Sequence, residues 1–238
     1  MLTPSESLHE DTKEEIERIL PEGDTIYILG GEVAISENVA GALEDKGYEV
    51  ERLAGDNRYE TAVAIAEELT PNPEEAFLAT GEGFADAVAA SGVAAERGAP
   101  MLLTRTESLS DSTADYLVEN QVEDINVIGG PAVVSEEVFE EVGATDRIAG
   151  ANRWETAVEI AAEFFDSPDQ AALATGWEFP DALSGGAYAA MDSAPVLLTA
   201  QDNLPTATQE YFQAQDSLER ITIFGGENAV SDAIKDEL

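Results

Sequence analysis

The sequence has no cysteine and a single histidine, His9. The first absence excludes disulfides, thiolate metal sites and cysteine nucleophiles together. The second excludes any histidine-based catalytic or metal site that recurs along the chain. Cations are also scarce: 11 lysines and arginines face 50 aspartates and glutamates, a formal charge of −39 over 238 residues, and the only lysines are Lys13, Lys46 and Lys235. No run of eighteen or more apolar residues is present, as a membrane-crossing helix requires, and the polar, acidic stretch 1–20 lacks the apolar centre of a signal peptide.

What is present is an ordinary apolar content, 44% of residues, arranged in short regular runs, so the charge does not imply disorder. The acids recur on every predicted helix instead of forming one terminal block, which argues against an acidic interaction tail. A chain that keeps a normal core pattern under this much self-repulsion reads as adapted to concentrated salt, where counter-ions screen the repulsion. Nucleic acid and anionic membrane are poor partners for such a surface; cationic or screened ligands suit it better.

Self-comparison finds an internal repeat. Residues 52–62, running Arg52-Leu53-Ala54-Gly55-Asp56-Asn57-Arg58-Tyr59-Glu60-Thr61-Ala62, return as 147–157 at an offset of 95 (147 − 52), with Ile148, Ala151 and Trp154 in place of Leu53, Asp56 and Tyr59. The offset holds through Ala79-Thr80-Gly81 and Ala174-Thr175-Gly176, through Asp86 and Asp181, and through residues 100–104 and 195–199. An apolar strand ending in Gly-Gly and followed by serine occurs three times, at Gly30-Gly31 with Ser36, Gly129-Gly130 with Ser135, and Gly225-Gly226 with Ser231. The chain therefore divides into a partial module over 1–50, the second half of a unit, and two full modules over 51–145 and 146–238. Such duplication implies copies of one supersecondary unit that bury faces against each other.

Within a module the apolar period alternates between strand-like and helical. Residues 50–53, 76–79, 100–103 and 125–128 read as strands; 58–69, 84–97, 112–120 and 135–142 read as helices, with Pro71 and Pro73 stopping the first of these, and a further helix is predicted over about 8–20. Strands alternating with helices over short connections predict an α/β fold of tandem modules, each a parallel sheet flanked by helices, Rossmann-like or Toprim-like in kind.

These motifs resemble the cell-wall-binding repeat 2 family, whose modules run Arg-x-x-Gly-x-x-Arg-Tyr-x-Thr-Ala, Ala-Thr-Gly-x-x-Phe-x-Asp-Ala, Ala-Pro-x-Leu-Leu-Thr, and then a strand with Gly-Gly. The resemblance implies a compact module similar to a Toprim-like fold that attaches a surface protein non-covalently to a wall polymer, outside the cell. With the salt signature it points to a halophilic archaeon, with a surface-layer glycan, another surface protein or a copy of itself as partner. A self-assembling layer subunit and, more remotely, a metal-dependent hydrolase are the alternatives of other classes, and the cytoplasm of a salt-accumulating cell is the alternative location.

Several residues stand out as candidate ligand contacts. Thr80, Gly81 and Asp86, with their copies Thr175, Gly176 and Asp181, lie where a strand turns into a helix, so the turn could hold an anion or sugar hydroxyl, or the aspartates could simply complement the helix dipole. Arg52 with Arg58 and Arg147 with Arg153 could take a ligand carboxylate or sulfate, or pair internally with Glu60, Asp86, Glu155 and Asp181. The turns at Gly30, Gly31, Gly129, Gly130, Gly225 and Gly226 allow close approach of a ligand or of another chain segment. Ser36, Ser135 and Ser231 fall where helix N-caps belong. No Gly-x-Gly-x-x-Gly fingerprint or phosphate-loop lysine occurs, so nucleotide binding has no support, and the sequence implies no cofactor, no metal site and no catalytic residue.

The charge yields a direct expectation: removing salt loosens or unfolds the chain. Circular dichroism melts in dilute buffer and in molar KCl check it; coincident melts refute salt adaptation.

Overall fold

The computed structural model describes residues 1–238, which fall into two compact units, Met1–Pro71 and Asn72–Leu238. The first unit holds α1 (Glu10–Ile19), β1 (Thr25–Leu29), α2 (Glu37–Glu44), β2 (Glu49–Leu53) and α3 (Arg58–Leu69). Strands β1 and β2 pair in parallel from Thr25 opposite Glu49 to Leu29 opposite Leu53. A small core of Ile16, Ile28, Ala40, Leu43 and Tyr48 ties α1 and α2 to them.

The second unit continues with β3 (Glu75–Thr80), α4 (Ala85–Glu96), β4 (Met101–Thr104), α5 (Asp111–Glu119), β5 (Asp124–Ile128), α6 (Glu136–Glu141) and β6 (Asp146–Ile148). It then repeats with α7 (Arg153–Phe164), β7 (Gln170–Thr175), α8 (Pro180–Met191), β8 (Val196–Thr199), α9 (Thr206–Ala214) and β9 (Arg220–Phe224), ending in a short 3-10 turn. Two all-parallel sheets result, ordered β4-β3-β5-β6 and β8-β7-β9. The central strands are covered on both faces, which is why residues 76–79 and 171–174 are unbroken apolar runs, each at 2% exposure or less. No helix is long and apolar enough to cross a membrane.

The sheets are offset from the sequence repeats. Strand β6 begins the last repeat yet closes the sheet of the one before it, and β2 likewise pairs with β1. The first helix of each repeat starts in the same way. Asn57 and Asn152 cap α3 and α7 by accepting from the amides two and three residues on, and Glu60 and Glu155 reach back to the amides of Asp56 and Ala151. This reciprocal capping satisfies helix amides that otherwise lack partners. Thr61 and Thr156 accept from the Gly55 and Gly150 amides, closing the turn over the helix. A Cβ on Gly55 would lie 2.8 Å from the Glu60 carbonyl carbon, and one on Gly150 2.6 Å from that of Glu155, so glycine is forced at both. Much of the repeated motif is thus the chemistry of one turn.

The same residues fix the Gly-Gly turns. Arg52 donates to the carbonyls of Gly30 and Ile35, at 2.9 and 2.8 Å, and Arg147 to those of Gly129 and Val134, at 2.8 and 2.9 Å. The internal pairing therefore holds for these two arginines with different partners from those expected: their carboxylates are Glu37 and Glu136, because Glu60 and Glu155 are committed to capping. The two glycines of each turn are not equivalent. Gly30, Gly129 and Gly225 have φ of +105°, +106° and +114°, whereas a side chain at Gly31 or Gly226 would meet nothing within 4 Å. Of the three serines expected as caps, Ser135 accepts from the Val138 amide, while the Ser36 and Ser231 hydroxyls are buried without a partner.

The core of the second unit crosses the repeat boundary. Phe77, Val88, Ala90 and Val93 share one cluster with Ile148, Ala157, Ile160, Ala182 and Leu198, so α4 is wedged between its own sheet and α7, α8 and β8 of the next repeat. Gly150→Ala is expected to cost about 1–3 kcal/mol by overpacking its turn, and Gly226→Ala less than about 0.5 kcal/mol. Urea midpoints of the two variants measure the contrast.

Candidate functional site

Wedging α4 against the next repeat leaves a cleft of about 350 Å³ at its N-terminal end. Three segments line it: Thr80 to Asp86 after β3, the Gly130–Val133 turn after β5, and Gly150 to Thr156 leading into α7. It thus gathers the Ala-Thr-Gly turn and Gly-Gly turn of one repeat with the Gly-x-x-Arg turn of the next. A larger groove, about 570 Å³, lies beside β9, where the sheet lacks the neighbour that β6 provides to β5; it contains none of the repeated turn motifs.

Asp86, in the first turn of α4, points at the Gly-Gly turn: a Cβ on Gly129 would lie 2.8 Å from its Oδ2. Asp181 stands in the same relation to Gly225, at 2.7 Å. Glycine at these turns thus makes room for a carboxylate as well as for the backbone. Burial pushes the Asp86 carboxyl above its ordinary range, and the nearby Arg153 guanidinium draws it partly back. That attraction acts between two repeats.

Arg153 is held on several sides. Its guanidinium donates to the Gly176 carbonyl and lies 5.9 Å from the Phe84 ring centroid and 5.0 Å from that of Trp177. Trp154 meets Trp177 edge to face at 5.6 Å and packs over Gly176, where a Cβ would come within 2.7 Å of the indole. Phe84 meets Phe179 the same way at 5.9 Å. The result is a fixed cation among aromatic rings beside a half-buried carboxylate, an arrangement suited to hydroxyl-rich ligands, which need donors, acceptors and flat apolar faces together.

The structure brings Thr80, Asp86, Gly130 and Arg153 together at this cleft. It puts Arg52 and Arg147 into turn-stapling roles, and Arg58 at the start of α3 in the first unit. The strand-end turns use their first amides internally: Gly81 and Gly176 donate to the Thr104 and Thr199 carbonyls, and Thr80 and Thr175 accept from the amides of Glu82 and Trp177. Phe84, Trp154 and Trp177 were not singled out by sequence; the signal available was that the chain's two tryptophans both fall in repeated motifs. Nowhere do three or more His, Asp or Glu side chains converge as a metal site requires.

These features coincide with a known family. Residues 52–139 and 147–235 each match the Cell wall binding domain 2 (CWB2), and the chain belongs to that family. It is 28% identical over all 238 residues to the N-acetylmuramoyl-L-alanine amidase LytC of Bacillus subtilis, and 32% identical over 216 residues, 88% of the chain, to the amidase enhancer of the same organism. It spans 47% and 29% of those relatives' own lengths. Among solved structures, Cwp8 from Clostridium difficile superposes with a TM-score of 0.88 at 28% identity, over 98% of this chain and 41% of Cwp8.

Because Asp86 is harder to ionise in the folded chain than in the unfolded one, it costs stability once it is charged, and that cost vanishes as pH falls below the unfolded carboxyl value of about 3.9. Asp86→Asn is therefore expected to raise the melting temperature at pH 7, with the gain shrinking towards pH 4. Melts across that range check the sign; a lower melting temperature at pH 7 contradicts it.

Proposed function

We propose that this chain is a non-catalytic attachment protein that holds its bearer to the cell envelope, on the outer surface, through tandem CWB2 modules. Its ligand is a surface glycan or envelope polymer taken up at the cleft between repeats. The observation that carries this reading is the convergence there of Asp86, Arg153 and Phe84 from two repeats. Hydroxyls of a sugar ring bridge the carboxylate and the guanidinium while its apolar face rests on the aromatic ring. The net charge of −39 favours a neutral or cationic polymer over an anionic one and supports a salt-rich, halophilic setting, with archaea as the natural source. Neither nucleic acid nor direct membrane insertion enters this reading.

The lack of catalysis has its own support. His9 caps α1, and Ser135 caps α6, so neither stands as a base beside a nucleophile. The metal-dependent hydrolase alternative requires turnover that is lost when Asp86 and Asp181 are changed.

Co-sedimentation with isolated envelopes of the source organism in molar KCl tests the proposal. The wild-type chain should pellet with envelopes. Asp86→Asn and Arg153→Lys, which keep the fold but alter the carboxylate and the planar guanidinium fork, should each weaken binding at least about tenfold, the scale of a lost charge-assisted hydrogen bond. Unchanged binding by both variants would move the site away from the cleft, and no pelleting at all would refute attachment.

A further inference from the structure

Trp177 is the most exposed aromatic ring of the chain, at 60%, and yet it is held in place. The Arg153 guanidinium lies over it, 5.0 Å from the centroid, and the Trp154 ring crosses it at 81°. Trp177 stands outside the walls of the cleft, next to two residues that form them: Arg153 itself, and Phe84, whose ring centroid is 5.9 Å from the same guanidinium carbon. The preceding repeat lacks this arrangement. Ninety-five residues earlier stands Glu82, whose carboxylate accepts from the Thr106 amide at 3.4 Å, and the ring that matches Trp154 is Tyr59, only 5% exposed. The turn after the strand therefore does not require an indole, and the packing of the repeat does not account for one fixed in solvent.

We propose that Trp177 is a second contact for the envelope glycan, a platform on which a neutral sugar ring stacks beside the one held at Asp86 and Arg153. This rests on the reading of the cleft given above and extends it: the recognised unit is at least two linked sugars, and each chain carries one such platform. The indole offers a flat apolar face to the C–H side of a pyranose. Because Arg153 and Trp154 already fix its orientation, it loses little freedom on binding. Charge selects a neutral sugar. A cationic one would bring its charge up to the guanidinium that already stacks on the indole, and an anionic one would approach Asp86 against the field of a chain of charge −39.

Calorimetric titration of the 238-residue chain in molar KCl, with saccharides released from the envelope and separated by length and charge, tests this. The wild-type chain should bind neutral two-sugar fragments roughly five- to tenfold more tightly than single sugars. Trp177→Ala should lose that increment and keep the single-sugar affinity, while Trp177→Phe, which retains a flat ring, should keep most of it. Indole emission should shift to the blue with two-sugar fragments, and Trp177→Phe should abolish most of the shift. Dichroism melts verify that the variants fold, as a position 60% exposed allows. Two-sugar affinity unchanged in Trp177→Ala, a loss equal for single and paired sugars, or a preference for charged fragments overturns the proposal. Asp86→Asn separates it from the reading of the cleft. If Asp86→Asn changes no affinity while Trp177→Ala lowers them, the cleft reading fails and the contact at Trp177 stands; the opposite pattern sinks the platform alone, and no binding of any fragment refutes both.

Discussion

The insertion of α4 between its own sheet and the following repeat is the contact on which the second unit depends. A sheet with one helical layer leaves an apolar face open, and here the next copy covers it. Burying Val88, Ala89 and Val93 against α7, α8 and β8 fixes how the two repeats sit. It thereby fixes where the first turn of α4 ends up: Asp86 against the Gly-Gly turn of its own repeat, with Arg153 of the next repeat close by. The cleft is a consequence of that packing and not a property of either repeat alone.

The charge sets the opposing constraint. Repulsion among 50 acids must be overcome by a core built largely from alanine, glycine and valine, so close approach replaces bulk. This accounts for the small residues along α4 and α8 and for a backbone carbonyl lying just beyond Gly92. It also gives meaning to the few cations. Arg52 and Arg147 are spent on turn carbonyls, which a carboxylate cannot satisfy, while Arg153 stands at the junction of two repeats. On the function proposed above, an acidic surface with the Arg153 cation fixed among aromatic rings favours an envelope glycan over a polyanion.

Much of this was legible in the sequence. The 95-residue offset, the alternation of strands and helices, and the span of α3 could be read directly, because capping asparagines, prolines and apolar period act over a few residues. The placement of β6 in the preceding sheet could not, since a short strand carries no label of which sheet it joins. Nor could the unequal roles of the two glycines in each turn, which depend on a positive φ at the first and on the Asp86 or Asp181 carboxylate lying beside it. The approach of Arg153 to Asp86 was one of several internal pairings the sequence left open; which of them occurs depends on the wedged helix, because the two residues belong to different repeats.

On the proposed function, the ligand enters the cleft formed between repeats. Hydrogen exchange of the chain in molar KCl, with and without soluble fragments released from the envelope, addresses it directly. Ligand-dependent protection is expected to concentrate in residues 80–86, 129–134 and 150–156, where the three lining segments meet. Protection confined to other elements, such as α1, α5 or the groove beside β9, would contradict it.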